Sequence, residues 1–250
     1  MLCLSLAGSL LFAGLAVYEY IPIYKNDRLI EDLRRRSVGD PGKDPLQRTV
    51  DFEGLQRVNP DIIGWLYIPE TTIDLPVLKG KTDTEYLWKG YDGEYSPVGS
   101  LFTYADEPED LSAANPYIFG HTLPIFDMFG ELRMYTEDEE YRKSKNMAYI
   151  YTPEKSFEIQ LYSIFTCRQD DELFTHDMDL NSGEYAQMIL EYAKRNKYGD
   201  IKAPAGIREQ SSVQTFSLSS CYGGPGTPYR LVIHWLEVRA EYKIDSTLPV

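Results

Sequence analysis

The sequence predicts a mostly β fold that closes into a barrel, with helices ahead of it and one long helix inserted late. Three observations predict it. Short apolar runs punctuated by Gly, Pro and Asp recur from Ile62 onward, which is the pattern of many short strands rather than of alternating βαβ units. The run 157–165 alternates at period two, with Phe157, Ile159, Leu161 and Phe165 assigned to one face. Aromatic residues are led by 20 tyrosines, a bias towards strands and half-wet surfaces. A chain of 250 residues can bury a sizeable core, and 43% hydrophobic content against 26% charged excludes a wholly disordered polymer.

Taken in order, the first element is apolar. No residue from Leu2 to Tyr18 is charged, and only Glu19 interrupts before Ile23. Residues 1–23 therefore read as a single-pass membrane anchor, near the lower length limit for a spanning helix. A cleaved signal peptide is the competing reading, but the basic leader and small-x-small cleavage site are not evident. Lys25, Arg28, Arg34, Arg35 and Arg36 follow the span, which by the positive-inside rule favours a cytoplasmic body. Basic residues ahead of Met1 would reverse that orientation, and the start of the chain looks clipped.

Residues 24–58 read as a helical stalk. Leu29, Ile30 and Leu33 fall at helical spacing between Asn26 and Ser37. Gly39-Asp40-Pro41-Gly42 breaks that helix, and Pro45 opens another towards Val58. Residues 59–250 then form the globular body. Beyond 157–165, the strand candidates are 65–68, 100–104, 117–120, 148–152, 213–219 and 229–238. The late helix carries Tyr185, Met188, Ile189, Tyr192 and Ala193 on one face, with Asn181 or Ser182 as its cap and Gly199 as its terminator.

Several chemistries are excluded or disfavoured. The net charge of -14 repels phosphate backbones, so no nucleic-acid partner is expected. Three cysteines are too few for a disulfide framework. P-loop, zincin, paired C-x-x-C and nucleophile-elbow motifs are absent from the sequence. No metal or other cofactor is expected. The acidic run around His176 lacks the ligand spacing of a known calcium loop.

What remains is thiol chemistry. Cys221 ends the run Thr215-Phe-Ser-Leu-Ser-Ser-Cys221 and precedes a glycine-rich loop, so it is held rigidly yet left accessible, as a nucleophile must be. A small buried core residue, or a disulfide with Cys167, are the alternatives. His121 ends the apolar run Tyr117-Ile-Phe-Gly-His121 and can exchange protons near neutral pH. A partly buried structural histidine is its alternative reading. Arg230 opens the apolar strand Arg230-Leu-Val-Ile-His-Trp235, where it needs a partner if buried or an open groove if not. His234 shares strand parity with Arg230 and is the rival candidate base.

Gly-His-Thr122 after a strand, then Leu-Ser-Ser-Cys221, then Arg230 on the next strand resembles the sortases, cysteine transpeptidases of Gram-positive surfaces. The class B branch is the most similar. Asn59-Pro-Asp-Ile-Ile-Gly-Trp-Leu66, Ile73-Asp-Leu-Pro-Val77, Gly99-Ser-Leu-Phe102, Asn115-Pro-Tyr-Ile-Phe-Gly-His121, Met128-Phe-Gly-Glu-Leu132 and the long helix before the Cys strand carry the likeness, over roughly 55–238. The resemblance implies a sortase-type barrel of about eight strands. It makes Cys221 the nucleophile, His121 the general acid/base and Arg230 the oxyanion stabiliser, with Ser219, Ser220, Thr122 and Tyr222 on the substrate. Tyr222-Gly223 departs from members with an acidic or polar residue just after the Cys.

The implied reaction is cleavage of a C-terminal sorting motif through a thioester, followed by transfer to an amine. That amine belongs to a cell-wall peptidoglycan precursor or, in a pilin polymerase, to a pilin lysine. The implied location is the cell membrane, with the catalytic body extracellular. A catalytically silent surface-binding module and a plain cysteine endopeptidase are the rival functions.

Overall fold

The period-two segments pair into one sheet that closes on itself. The computed structural model describes residues 2–122, 128–172, 174, 178–201, 213–221 and 226–243, with side chains from residue 20 onward. Tyr222, Gly223 and His176 lie outside the described residues, as does the side chain of Cys3. The chain opens with α1 (Leu2–Ser37), a 3-10 turn (Pro45–Gln47) and α2 (Phe52–Val58). There follow β1 (Ile62–Tyr67), β2 (Asp74–Lys79), a second 3-10 turn (Glu85–Leu87), β3 (Leu101–Thr103) and β4 (Tyr117–Gly120). A third 3-10 turn (Gly130–Arg133), α3 (Met134–Glu137) and α4 (Glu139–Ser144) lead to β5 (Met147–Tyr151) and β6 (Lys155–Arg168). Then α5 (Gly183–Arg195), β7 (Thr215–Cys221) and β8 (Tyr229–Tyr242) complete the described chain.

The closed order is β1-β2-β3-β4-β7-β8-β6-β5. β2/β3 and β4/β7 run parallel; the other pairings are antiparallel. Leu66, Ile118, Ile159, Phe216, Leu218, Ile233 and Trp235 fill the barrel. A second apolar layer seats Leu33 of α1, Phe52 and Leu55 of α2 against Trp65, Tyr149 and Tyr151. A third lies between the outer sheet face and Tyr185, Met188, Ile189 and Tyr192 of α5.

The two helical segments expected before Gly39 form one helix, with Pro22 inside it at the loss of a backbone donor. Among the described residues no helix is long and apolar enough to cross a membrane. The expected anchor rests on residues whose side chains, up to residue 19, lie outside the description. The lower end of α1 is tied to the barrel by charge. Asp74 accepts from Arg48 Nη1 and Nη2 at 2.7 and 3.0 Å and from Trp65 Nε1 at 2.6 Å, and Arg34 donates to its carbonyl at 2.9 Å. The Arg48 side chain is only 5% exposed, so this pair is fully hydrogen-bonded as a buried ion pair must be.

Two local expectations are corrected. In β6 the register with β8 shifts between Leu161 and Ser163, and such a bulge reverses which face later residues occupy. Phe165 therefore packs under α5, while Ile164 enters the barrel beside Ile159 and Leu161. α5 does start at the Ser182 cap, whose hydroxyl accepts from Tyr185 N at 3.1 Å. It ends at Arg195, ahead of Gly199. Asn196 stops it by turning to β6: its Oδ1 accepts from Ile164 N at 3.1 Å and its Nδ2 donates to Tyr198 O at 2.8 Å.

Gly120 closes β4 with its missing side chain directed at the core. A Cβ there would lie 2.5 Å from Leu101 Cδ2 and 2.7 Å from Phe129 Cδ2, both residues being fully buried. Gly120→Ala should destabilise the fold by about 1–3 kcal/mol through overpacking. A lower urea midpoint at unchanged m-value is the expected reading, and an unchanged midpoint would show that the core gives way freely.

Candidate active site

Strand register puts the three chemically distinctive side chains in one row. β4 and β7 pair Tyr117 with Ser217, Phe119 with Ser219 and Gly120 with Ser220, so the next step sets His121 alongside Cys221. β7 and β8 pair Cys221 with Arg230, Ser219 with Val232 and Ser217 with His234. Paired residues share a face. That face is the outer one, because Val232 and Leu236 pack under α5 whereas Leu231, Ile233 and Trp235 fill the barrel.

α5 covers only part of this face. Beyond its edge the sheet is open as a cleft of about 450 Å³ bordered by His121, Cys221 and Arg230. One wall is apolar: Leu87, Phe102, Tyr104, Phe119 and Phe174, with Tyr104 edge-on to Phe119 at 4.9 Å. Asp83, Gln169 and Asp170 add polar groups to the rim. Such a lining suits a ligand with an apolar portion against the aromatic wall and polar groups at the rim.

His121 Nε2 lies 3.0 Å from the carbonyl oxygen of Leu87. A carbonyl only accepts, so Nε2 carries the hydrogen in this arrangement and Nδ1 is left to exchange a proton in the cleft. The Trp88 ring stands 6.0 Å from the imidazole at 50°. Arg230 is held by three acceptors: Nη1 donates to Thr227 O at 2.8 Å and to Tyr229 O at 3.0 Å, and Nη2 donates to Gln169 Oε1 at 2.6 Å. A guanidinium has five donors, so this one is fixed in place and retains N–H capacity towards the cleft.

The remaining candidates divide. Ser219 Oγ and Thr122 Oγ1 are buried without a hydrogen-bond partner among the described residues, and Ser219 borders the cleft. Ser220 also borders it, but strand alternation turns its side chain to the face opposite Cys221. Tyr222 lies outside the described residues. His234 is not brought to the cleft. It is fully buried under α5, stacked on Tyr192 at 3.9 Å, with Nδ1 2.6 Å from Ser217 Oγ. Burial pushes its pKa well below the ordinary value, and a histidine so placed stays neutral and structural.

Cys167 and Cys221 are both free. They flank Arg230 on opposite sides, Cys167 on β6 and Cys221 on β7. Two strand spacings separate them, about 9–10 Å, beyond the reach of a disulfide. Burial pushes the Cys167 thiol up to about 12, which removes it as a nucleophile at neutral pH. No group of three or more His, Cys, Asp or Glu that could hold a metal ion occurs among the described residues.

Sequence reasoning missed Leu87, Trp88, Gln169 and the aromatic wall. Gln169 follows β6 directly and meets Arg230 only because β6 pairs with β8. Leu87 and Trp88 sit in a turn without periodicity; an unmatched tryptophan in a polar stretch was the one available signal.

No protein-family model matches the chain. Sortase B of Staphylococcus aureus is 29% identical over 171 residues, covering 68% of this chain and 67% of that one. Sortase B of Listeria monocytogenes is 26% identical over 172 residues, covering 68% and 70%. Among solved structures, Bacillus anthracis sortase B in complex with AAEK1 superimposes with a TM-score of 0.72 at 23% identity, over 88% of this chain and 99% of that one. The Staphylococcus aureus sortase B–substrate complex gives 0.67 at 22% identity, over 91% and 97%. The chain is a sortase class B-like protein.

Proposed function

We propose that this sortase B-like cysteine transpeptidase cleaves a C-terminal sorting motif of surface proteins through a Cys221 thioester and transfers the acyl group to a cell-wall amine. The observation that carries the reading is the row His121–Cys221–Arg230, set side by side across three strands at the open end of one cleft. The Cys221 thiolate attacks the scissile carbonyl and its charge passes to the carbonyl oxygen. Arg230 faces that oxyanion with a fixed positive charge, in place of a pair of backbone donors. Collapse of the tetrahedral adduct breaks the C–N bond, and His121 supplies the proton that lets the amine leave. An incoming amine then repeats the sequence in reverse, losing a proton to His121 and expelling the Cys221 thiolate, so that the starting pair of thiolate and protonated His121 is restored.

Anchoring to the membrane with the barrel outside the cell is part of this proposal. It is supported by the uncharged stretch from Leu2 to Tyr18 at the head of α1, which reaches the barrel without a break. The test uses the full chain in detergent with sorting-type peptides, with and without a small primary amine. Added amine should divert the cleaved peptide from the free acid to the amide while consumption of peptide continues. Free acid alone at every amine concentration would make the protein an endopeptidase and overturn the proposal.

A further inference from the structure

The turn beside His121 is built with more care than a loop requires. Trp88 is 56% exposed, and a single exposed aromatic needs no explanation by itself. Its backbone, however, is pinned. Ser100 N donates to Tyr86 O at 3.0 Å, Ser100 Oγ to Lys89 O at 2.9 Å and Ser96 N to Trp88 O at 3.0 Å. Gly99, at φ +62°, allows this approach: a Cβ there would meet Tyr86 O at 2.6 Å and Leu87 O at 2.7 Å. The same rigid turn therefore presents the Leu87 carbonyl to His121 Nε2 and sets the Trp88 indole beside the imidazole, tilted at 50° with the ring centres 6.0 Å apart.

We propose that Trp88 is a positioning residue for His121, holding the ring on the Leu87 carbonyl and favouring its positively charged form. The inference rests on His121 being the acid/base of the reaction. In a cysteine transpeptidase that histidine must carry a positive charge when the amine leaves. An aromatic face stabilises a nearby cation, and the carbonyl accepts a hydrogen bond that is stronger from an imidazolium. The indole stands on the same turn as the Leu87 carbonyl, so one element sets both neighbours of the ring. The other titratable or charged groups lining the cleft are Asp83, Tyr104, Asp170, Cys221 and Arg230, while Glu85 and Lys89 on the turn pair with each other at 2.7 Å.

Activity and fluorescence test this separately. Trp88→Leu should lower kcat about threefold to fivefold with KM within twofold, and move the alkaline limb of the kcat/KM profile to lower pH. Trp88→Phe should restore most of the loss. Of the three tryptophans, Trp65 and Trp235 are fully buried, so Trp88 is the one that can report on His121. Fluorescence of Cys221→Ala protein should change sigmoidally with pH, and that change should vanish when either His121→Gln or Trp88→Phe is added. Parental kcat and pH profile in Trp88→Leu, a loss confined to KM, or a fluorescence titration that survives His121→Gln would each overturn the inference. Activity retained by His121→Gln would instead overturn the underlying assignment of the acid/base.

Discussion

Cys221→Ala is expected to remove cleavage and ligation together, by about 1000-fold or more, while the barrel stays folded. The expectation follows from position. Cys221 is the last residue of β7, half-buried at the cleft, with Arg230 as its cross-strand partner. Cys167 cannot substitute, because it is buried under α5 with its thiol pushed up to about 12. The fold should not notice: replacing a small side chain at a strand end touches none of the three apolar clusters. Peptide cleavage and amine transfer would be followed by chromatography and the fold by thermal unfolding. Retention of a tenth of the activity would remove Cys221 from the mechanism.

Arg230→Lys should lower kcat by about 100- to 1000-fold, the usual cost of losing one oxyanion donor, while KM changes little. The planar fork of Arg230 engages Thr227 O, Tyr229 O and Gln169 Oε1 at once. A single ammonium on a flexible stem cannot keep those bonds and still meet an oxyanion. His234→Ala on the same strand makes the control. His234 is sealed beneath α5 against Tyr192 and Phe165, about 13 Å along the strand from the row of Arg230. Its loss should act through packing and reduce stability more than kcat. Equal damage to kcat from His234→Ala and His121→Ala in folded protein would show that the wrong histidine stands in the mechanism.

The parts of the site that lie on regular strands were legible in the sequence, because alternation fixes the face once strand ends are known. His121, Cys221 and Arg230 each sit at the end or start of an apolar run, and pairing them required only the strand order. Parity also put His234 on the face of Arg230, correctly. What alternation does not show is which part of a face a distant helix covers, and α5 decides that His234 is core and Arg230 is not. Phe165 was assigned to the wrong side for a related reason: the bulge after Leu161 has no Gly or Pro to announce it. Leu87 and Gln169 meet His121 and Arg230 through pairings made across the closed barrel, and local patterns carry no trace of such contacts. α1 could not be delimited from composition, since Pro22 and the basic cluster both argue for a boundary that the continuous helix ignores.

The central claim is a covalent acyl-enzyme on Cys221, and mass spectrometry tests it most directly. The full chain would be incubated with a library of pentapeptides carrying Thr at the fourth position, the position that the likeness to sortases implies, then quenched in acid and digested. The account predicts an added acyl mass on the fragment containing Cys221, removed by hydroxylamine as a thioester is and absent from Cys221→Ala protein. Peptide cleavage without any adduct on that fragment, or with the adduct on Cys167, would contradict it.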